Sequence, residues 1–356
     1  MKFRHLRMAL LALGLQVPAF AHAAEPVTEL RHWPPAQAQA LEQAIANAPP
    51  GAYAVFDADN TLWRNDLEES LLAYMEMRGL LSAKTLPAAL RPMPLAPGES
   101  LYGYYQRLCE VDDELCYPWI AQVFAGFRLD RLKGLVDELL AYDGPIPVRY
   151  RANGKTISDV VHSPRPYPGQ KELVRRLTEA GIKVYVVTAA SEDLSRMVAS
   201  DPRYGLGVKP ENVVGVILWL RDPETGQLTT TRRDIRRTGG FPVTPQDLAR
   251  RGAMVTTFYL AEPASWYVGK VAAIQSTIDP VRRPFLVAGD SPSDWWMLFY
   301  ADGGRGGVRV WIDRKIGYTE KLETARRARA AAETEAGLPA QADSHWVIVT
   351  QAAIGG

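Results

Sequence analysis

Five short runs in this chain are apolar at most positions and rich in Val, Ile or Tyr: YAVFDAD (53–59), IKVYVVTA (182–189), PFLVAGDS (284–291), GVRVWID (307–313) and HWVIVTQ (345–351). A strand with one wet face alternates polar and apolar residues. These runs do not, so they read as strands of a parallel sheet buried on both faces. Such a sheet needs helical crossovers, and GQKELVRRLTEAG (169–181) supplies one just before the second run. Its Leu173, Val174 and Leu177 recur at helical spacing, and Gly181 marks the stop. The alternation predicts an α/β fold built on a Rossmann-like parallel sheet core.

Residues between the first and second strands follow another pattern. From RNDLEESLLAYMEMRGLL onward they are mostly helical in periodicity, and they read as an inserted cap. The expected organisation is an α/β core from 24–65 and 165–356 with a mainly helical cap domain at 66–164. Two strands joined by a Pro/Gly turn, a hairpin or flap, are expected in 213–234, and a charged, alanine-rich, solvated helix in 319–337. Lys and Arg number 41 against 40 Asp and Glu, so the chain lacks the basic excess of a nucleic-acid binder. Nothing in it specifies an oligomeric state.

The first residues form a separate unit. MKFRHLRMALLALGLQVPAFAHAAEP has a basic start at Lys2, Arg4 and Arg7, then an apolar stretch, then Ala21-His22-Ala23. That order is a secretory signal peptide over 1–23, and its apolar run is too short for a stable membrane span. A periplasmic or secreted protein is expected. An oxidising compartment lets Cys109 and Cys116 pair, with two independent buried thiols as the alternative.

Ligands of open parallel sheets bind beyond the carboxyl ends of the strands. Asp57 and Asp59, Thr188, and Asp290 stand at three such ends; Asp294 follows in GDSPSD, and Lys270 lies between the second and third of these strands. In this order DADNT (57–61), Thr188 in VYVVTAAS, Lys270 and GDSPSD (289–294) resemble the four motifs of the haloacid dehalogenase superfamily. The resemblance implies phosphoryl transfer through an aspartyl phosphate, with Mg²⁺ or another divalent ion. A carboxylate attacks phosphorus only where charge repulsion is neutralised, which a divalent metal does. Asp57 is then the nucleophile and Asp59 the acid and base. Oxygen ligands for the metal come from Asp57, the Asp59 carbonyl and Asp290, with Asp294 as an outer partner or helix cap. Thr188 and Lys270 hold the phosphoryl oxygens.

The leaving group is set by the cap. Glu68 and Glu69 follow the first motif within a few helical turns, and ESLYGYYQRL offers Tyr102, Tyr104 and Tyr105. Carboxylates beside aromatic faces suit a quaternary ammonium. DNTLWRNDLEESLL, VVTAAS and GDSPSDWWML are also similar to the secreted phosphorylcholine phosphatases. That resemblance implies a small phosphate ester with a trimethylammonium head, bound by Glu68 and Glu69, with Tyr104 and Tyr105 as aromatic contacts. Glu69 also fits a capping box, and Trp63 is expected to narrow or reshape the pocket. Competing readings are a phosphoserine-type or sugar-phosphate phosphatase, a dehalogenase, which Asp59 opposes, and a non-catalytic exported binding protein.

Overall fold

The computed structural model describes residues 29–152, 154–262 and 264–355; the expected signal peptide lies outside them. Six strands make the central sheet: β1 Tyr53–Phe56, β2 Lys183–Ser191, β3 Val213–Val216, β4 Leu286–Gly289, β5 Val308–Asp313 and β6 Trp346–Thr350. Their order is β6-β5-β4-β1-β2-β3, and every neighbouring pair is parallel. Five match the expected runs. The sixth, β3, corrects the reading of 213–234, whose first residues belong to the sheet and not to a hairpin.

Burial on both faces explains the unbroken apolar runs. Ala54 and Phe56 pack into one large core with Leu173, Val174 and the insertion, whereas Tyr53 and Val55 face the opposite core with Val287, Met297 and Trp311. Period-two alternation therefore persists in direction but not in polarity.

The chain leaves the core at Trp63–Arg64 and returns at Arg165–Pro166, segments that pair antiparallel. Between them stand helices Leu67–Met77, Leu101–Val111, Asp113–Gln122 and Leu129–Ala141, followed by the hairpin Ile146–Ala152 with Lys155–Val161. A second insertion follows β3. Strands Leu218–Arg221, Leu228–Thr229 and Val255–Leu260 form a small antiparallel sheet, with helices Thr231–Thr238 and Pro245–Ala253 between the last two. The hairpin is thus 218–229, and Thr231–Thr238 is helical. This module braces the first insertion, since Gly126 N–H donates to the Thr256 carbonyl at 2.8 Å and Thr256 N–H to the Phe127 carbonyl at 2.9 Å. The charged helix spans Ile316–Glu335, with Leu322 its one buried residue. Among the described residues, no helix is long and apolar enough to cross a membrane.

Candidate active site

The carboxyl ends of β1, β2 and β4 meet beneath the first insertion. Asp57 extends β1 by one residue, its N–H donating to the Ala288 carbonyl at 2.9 Å. The chain then turns sharply: Asn60 takes a left-handed φ of 60°, which Asn tolerates, and Thr61 and Leu62 bond back to the Ala58 carbonyl. That turn aims Thr61 Oγ1 at Asp290 Oδ1, 3.0 Å away, and Arg314 Nε holds Asp290 Oδ2. After β4 the chain folds back so that Asp294 Oδ2 accepts from the N–H groups of Asp290 and Ser291 at 3.0 and 3.1 Å. Asp294 Oδ1 accepts from Lys270 Nζ at 2.6 Å, and the same ammonium donates to Asp57 Oδ1 at 2.5 Å. Asp294 is therefore both the cap of its turn and a partner of the lysine.

The electrostatics follow from this crowding. Burial, then the Asp294 charge, pushes the Asp57 carboxyl well above its ordinary range, against the pull of Lys270. Burial lifts Asp290 to about 6 although Arg314 opposes it. Burial alone would lower Lys270, but Asp294 and Asp57 outweigh it and raise its pKa. Carboxylate oxygens of Asp57, Asp290 and Asp294 lie within 4.8 Å of one another. With Asp59 they make four carboxylates against two cations, Lys270 and Arg314, and the donors are all hard oxygens. The residues present fit a divalent cation.

Lys270 has no exposed surface and stands behind Asp57, outside the lining of the cleft. Thr188 is buried but lines the cleft; its Oγ1 accepts from Ala190 N–H at 3.1 Å, and its carbonyl accepts from Ser265 Oγ at 2.6 Å. Asp59 also lines the cleft, with Oδ1 accepting from Trp63 Nε1 at 2.6 Å and Leu67 N–H at 2.8 Å. Trp63 is fully buried and forms no part of the cleft wall, which corrects the expectation that it narrows the pocket.

The cleft above these groups has a volume of about 520 Å³. Helix Leu67–Met77 presents Glu68 and Glu69 to it, with the capping Asp66 beside them. Glu68 Oε1 accepts from Ser191 N–H at 3.1 Å, and Glu69 Oε1 from Tyr105 O–H at 3.2 Å. Burial, then the Asp66 charge, lifts Glu69 to about 8 and Glu68 well above its ordinary range. One buried and two half-buried carboxylates side by side make an environment that a cation relieves.

Tyr105 lines this wall, but Tyr104 does not. Its ring packs against Trp119, and its hydroxyl donates to the Met93 carbonyl at 2.7 Å, so the expected aromatic contact at Tyr104 is corrected to a core role. Adjacent helical residues point about 100° apart, and it is Tyr102, three residues before Tyr105, that shares its face. Tyr117, Asp113, Lys315 and Tyr318 also line the cleft and were not foreseen. Tyr117 is signalled only by following Cys116; Arg314 and Lys315 follow a strand end, the position that flagged the other groups. Cys109 and Cys116 form a disulfide that ties helix Leu101–Val111 to Asp113–Gln122. A larger cleft, about 750 Å³, lies in the second insertion among Arg233, Arg237 and Arg250, apart from the strand ends that carry the chemistry.

Over 329 residues, 91% of this chain and 92% of the other, the sequence is 50% identical to the phosphorylcholine phosphatase of Pseudomonas aeruginosa. This chain belongs to the phosphorylcholine phosphatase family. Its DADNT, Thr188, Lys270 and GDSPSD segments are the ones that resemble the four haloacid dehalogenase motifs. No protein-family model matches. Among solved structures, a conserved protein of unknown function from Anaerococcus prevotii is similar, with 18% identity, a TM-score of 0.52, and coverage of 83% of this chain and 90% of that one. A substrate-bound phosphoserine phosphatase complex aligns at 12% identity and a TM-score of 0.38, covering 77% of this chain and 91% of that one. In this phosphorylcholine phosphatase family member, Asp57, Asp59 and Asp290 line one cleft with Glu68 and Glu69, and Lys270 and Asp294 are bonded behind them.

Proposed function

We propose that this protein hydrolyses phosphorylcholine to choline and phosphate through a phosphorylated Asp57, with Mg²⁺ as its metal. One observation carries the reading: a buried carboxylate, charge-paired with Lys270, opens into a cleft that is also lined by the half-buried Asp66 and Glu69 and the buried Glu68. Asp57 Oδ1 is tied to Lys270, so its plane is fixed and the reacting carboxylate oxygen is held in place. The carboxyl of Asp59 gives its proton to the choline oxygen as that oxygen leaves phosphorus. It then takes a proton from the water that attacks the phosphorylated Asp57, and phosphate departs. Thr188, with its hydroxyl oxygen accepting from Ala190, keeps its own proton for a phosphoryl oxygen. When bound among Asp57, the Asp59 carbonyl and Asp290, the metal supplies the positive charge that lets an anion approach an anion. Asp66, Glu68 and Glu69 attract the trimethylammonium head, and the Tyr105 ring offers it a π face.

The first test is Mg²⁺-dependent phosphate release from phosphorylcholine, phosphoethanolamine, phosphoserine and p-nitrophenyl phosphate. Phosphorylcholine is expected to give the highest kcat/KM, Asp57→Asn no turnover, and Asp59→Asn an enzyme that retains radiolabelled phosphate after acid quenching. Equal use of phosphoserine would overturn the cationic pocket, and an unlabelled, fully active Asp59→Asn would overturn the acid–base assignment.

We further infer export to an oxidising compartment. The basic-apolar-small order of residues 1–23 and the Cys109–Cys116 disulfide support it. N-terminal sequencing of the mature protein tests it, with a start at or near Ala24 expected.

A further inference from the structure

The indole of Trp63 has no exposed surface and is fixed from several sides. Its backbone pairs with Pro166 at the neck of the insertion and bridges Asp59, and its ring packs in the main core. The one polar atom of that ring donates to Asp59 Oδ1 at 2.6 Å, and Leu67 N–H donates to the same oxygen at 2.8 Å. Among the described residues, Asp59 Oδ2 receives no such bond.

From this asymmetry we propose that Trp63 is a positioning residue for the acid–base step, directing the Asp59 proton to Oδ2 and towards the leaving oxygen. In a carboxylic acid one oxygen accepts while the other carries the proton. Two donors converging on Oδ1 make it the accepting oxygen and lock the plane of the group. The proton therefore resides on Oδ2. In the first half-reaction it passes to the ester oxygen while the P–O bond breaks and the bond from Asp57 to phosphorus forms. In the second, water oxygen bonds to phosphorus, one of its protons returns to Asp59 Oδ2, and the Asp57–phosphorus bond breaks. Protons and bonds balance over the cycle. The inference rests on the phosphatase reading, but it applies to any ester whose leaving group needs a proton.

That condition provides the test. An alkoxide such as that of choline leaves poorly without protonation, whereas p-nitrophenolate leaves readily. Trp63→Phe deletes the donor and keeps an aromatic ring. It is expected to lower kcat/KM for phosphorylcholine by roughly ten- to hundredfold, the usual scale for losing a supporting hydrogen bond, and for p-nitrophenyl phosphate by under about threefold. The ratio of the two constants is the readout, since the fraction of folded enzyme cancels from it. Site-specific replacement of Trp63 by benzothienylalanine, which puts sulfur in place of the N–H and preserves ring shape, is expected to shift the ratio in the same direction. An equal fall for both esters, no fall for either, or a normal ratio in the sulfur isostere would each overturn the proposal. If the wild-type enzyme prefers another alkyl phosphate, the substrate reading fails, and the same ratio measured with that ester still decides the role of Trp63.

Discussion

Lys270 Nζ lies 2.5 Å from Asp57 Oδ1 and 2.6 Å from Asp294 Oδ1, with no part of the lysine in contact with solvent. One ammonium thus compensates two buried carboxylates. Lys270→Met keeps most of the side-chain volume and removes the charge, leaving both acids unpaired. The expected cost is about 3–5 kcal/mol of stability, with kcat falling by roughly 10²-fold or more. Because a divalent cation among the same carboxylates neutralises them, added Mg²⁺ is expected to raise the melting temperature of the variant more than that of the wild type. Thermal unfolding with and without Mg²⁺, beside steady-state kinetics, checks both.

Gly289 makes the return of Asp294 possible. A Cβ built at Gly289 stands 2.6 Å from Asp294 Cβ and 2.8 Å from its Cγ. Both atoms are held, because the Asp294 carboxylate is bonded at each oxygen. Gly289→Ala must therefore displace Asp294, and with it Lys270 and the backbone of Asp290. We expect overpacking to cost about 1–3 kcal/mol, and Mg²⁺ affinity to drop by about ten- to hundredfold as the ligand shell loses its support. Calorimetric titration of Mg²⁺ measures the second effect. Unchanged affinity would mean that Asp294 plays no part in arranging the site.

Glu69 predicts a pH dependence tied to substrate charge. Burial, then Asp66, raises its pKa to about 8 in the empty cleft, so at lower pH the free enzyme carries it protonated and neutral. A cationic head binds the ionised form better and must expel that proton. KM for phosphorylcholine is therefore expected to rise as pH falls below about 8, by up to about tenfold per unit. An aryl phosphate with no cationic head, such as p-nitrophenyl phosphate, lacks this limb, and Glu69→Gln abolishes it. For the fold the sign is opposite: a carboxyl with a raised folded pKa favours the protonated native state, so stability is expected to decline as pH climbs from the unfolded value near 4.5 towards about 8. Parallel KM–pH profiles for the two esters separate the substrate effect from the fold effect.

Most of the chemistry was readable before the structure because it sits at strand ends, where a motif and a topology rule agree. Asp57, Asp290 and Thr188 fall there directly. Arg314 follows the same rule at the end of β5, yet a lone arginine after a strand carries no motif of its own. Val213–Val216 escaped because it runs into Leu218–Arg221 with no turn residue between them, and the boundary is tertiary. The 146–161 hairpin is weakly apolar, exposed along much of its length, and so lacks a strong period. Tyr104 and Tyr102 were not separable, since the face of a helix that meets a cleft is decided by its packing partners, here Met93 and Trp119.

The Cys109–Cys116 disulfide has a consequence for binding as well as stability. Cys109 lies four residues after Tyr105 on one helix, and Cys116 immediately precedes Tyr117 on the next; both tyrosines line the cleft. The crosslink spans seven positions, with Cα atoms 5.0 Å apart, so it pins the angle at which these helices meet. For a loop this short, chain entropy sets the stabilisation at about 2.5 kcal/mol. Reduction alters no packing residue, which makes it a cleaner probe than substitution. Treatment with dithiothreitol is expected to lower the melting temperature, and to raise KM for phosphorylcholine severalfold as Tyr105 and Tyr117 lose their mutual placement. Asp57, Asp59 and Lys270 sit in or against the core and are untouched, so kcat for p-nitrophenyl phosphate is expected to hold. A reduced protein that loses kcat for both esters would show that the disulfide supports the strand ends and not the cap wall.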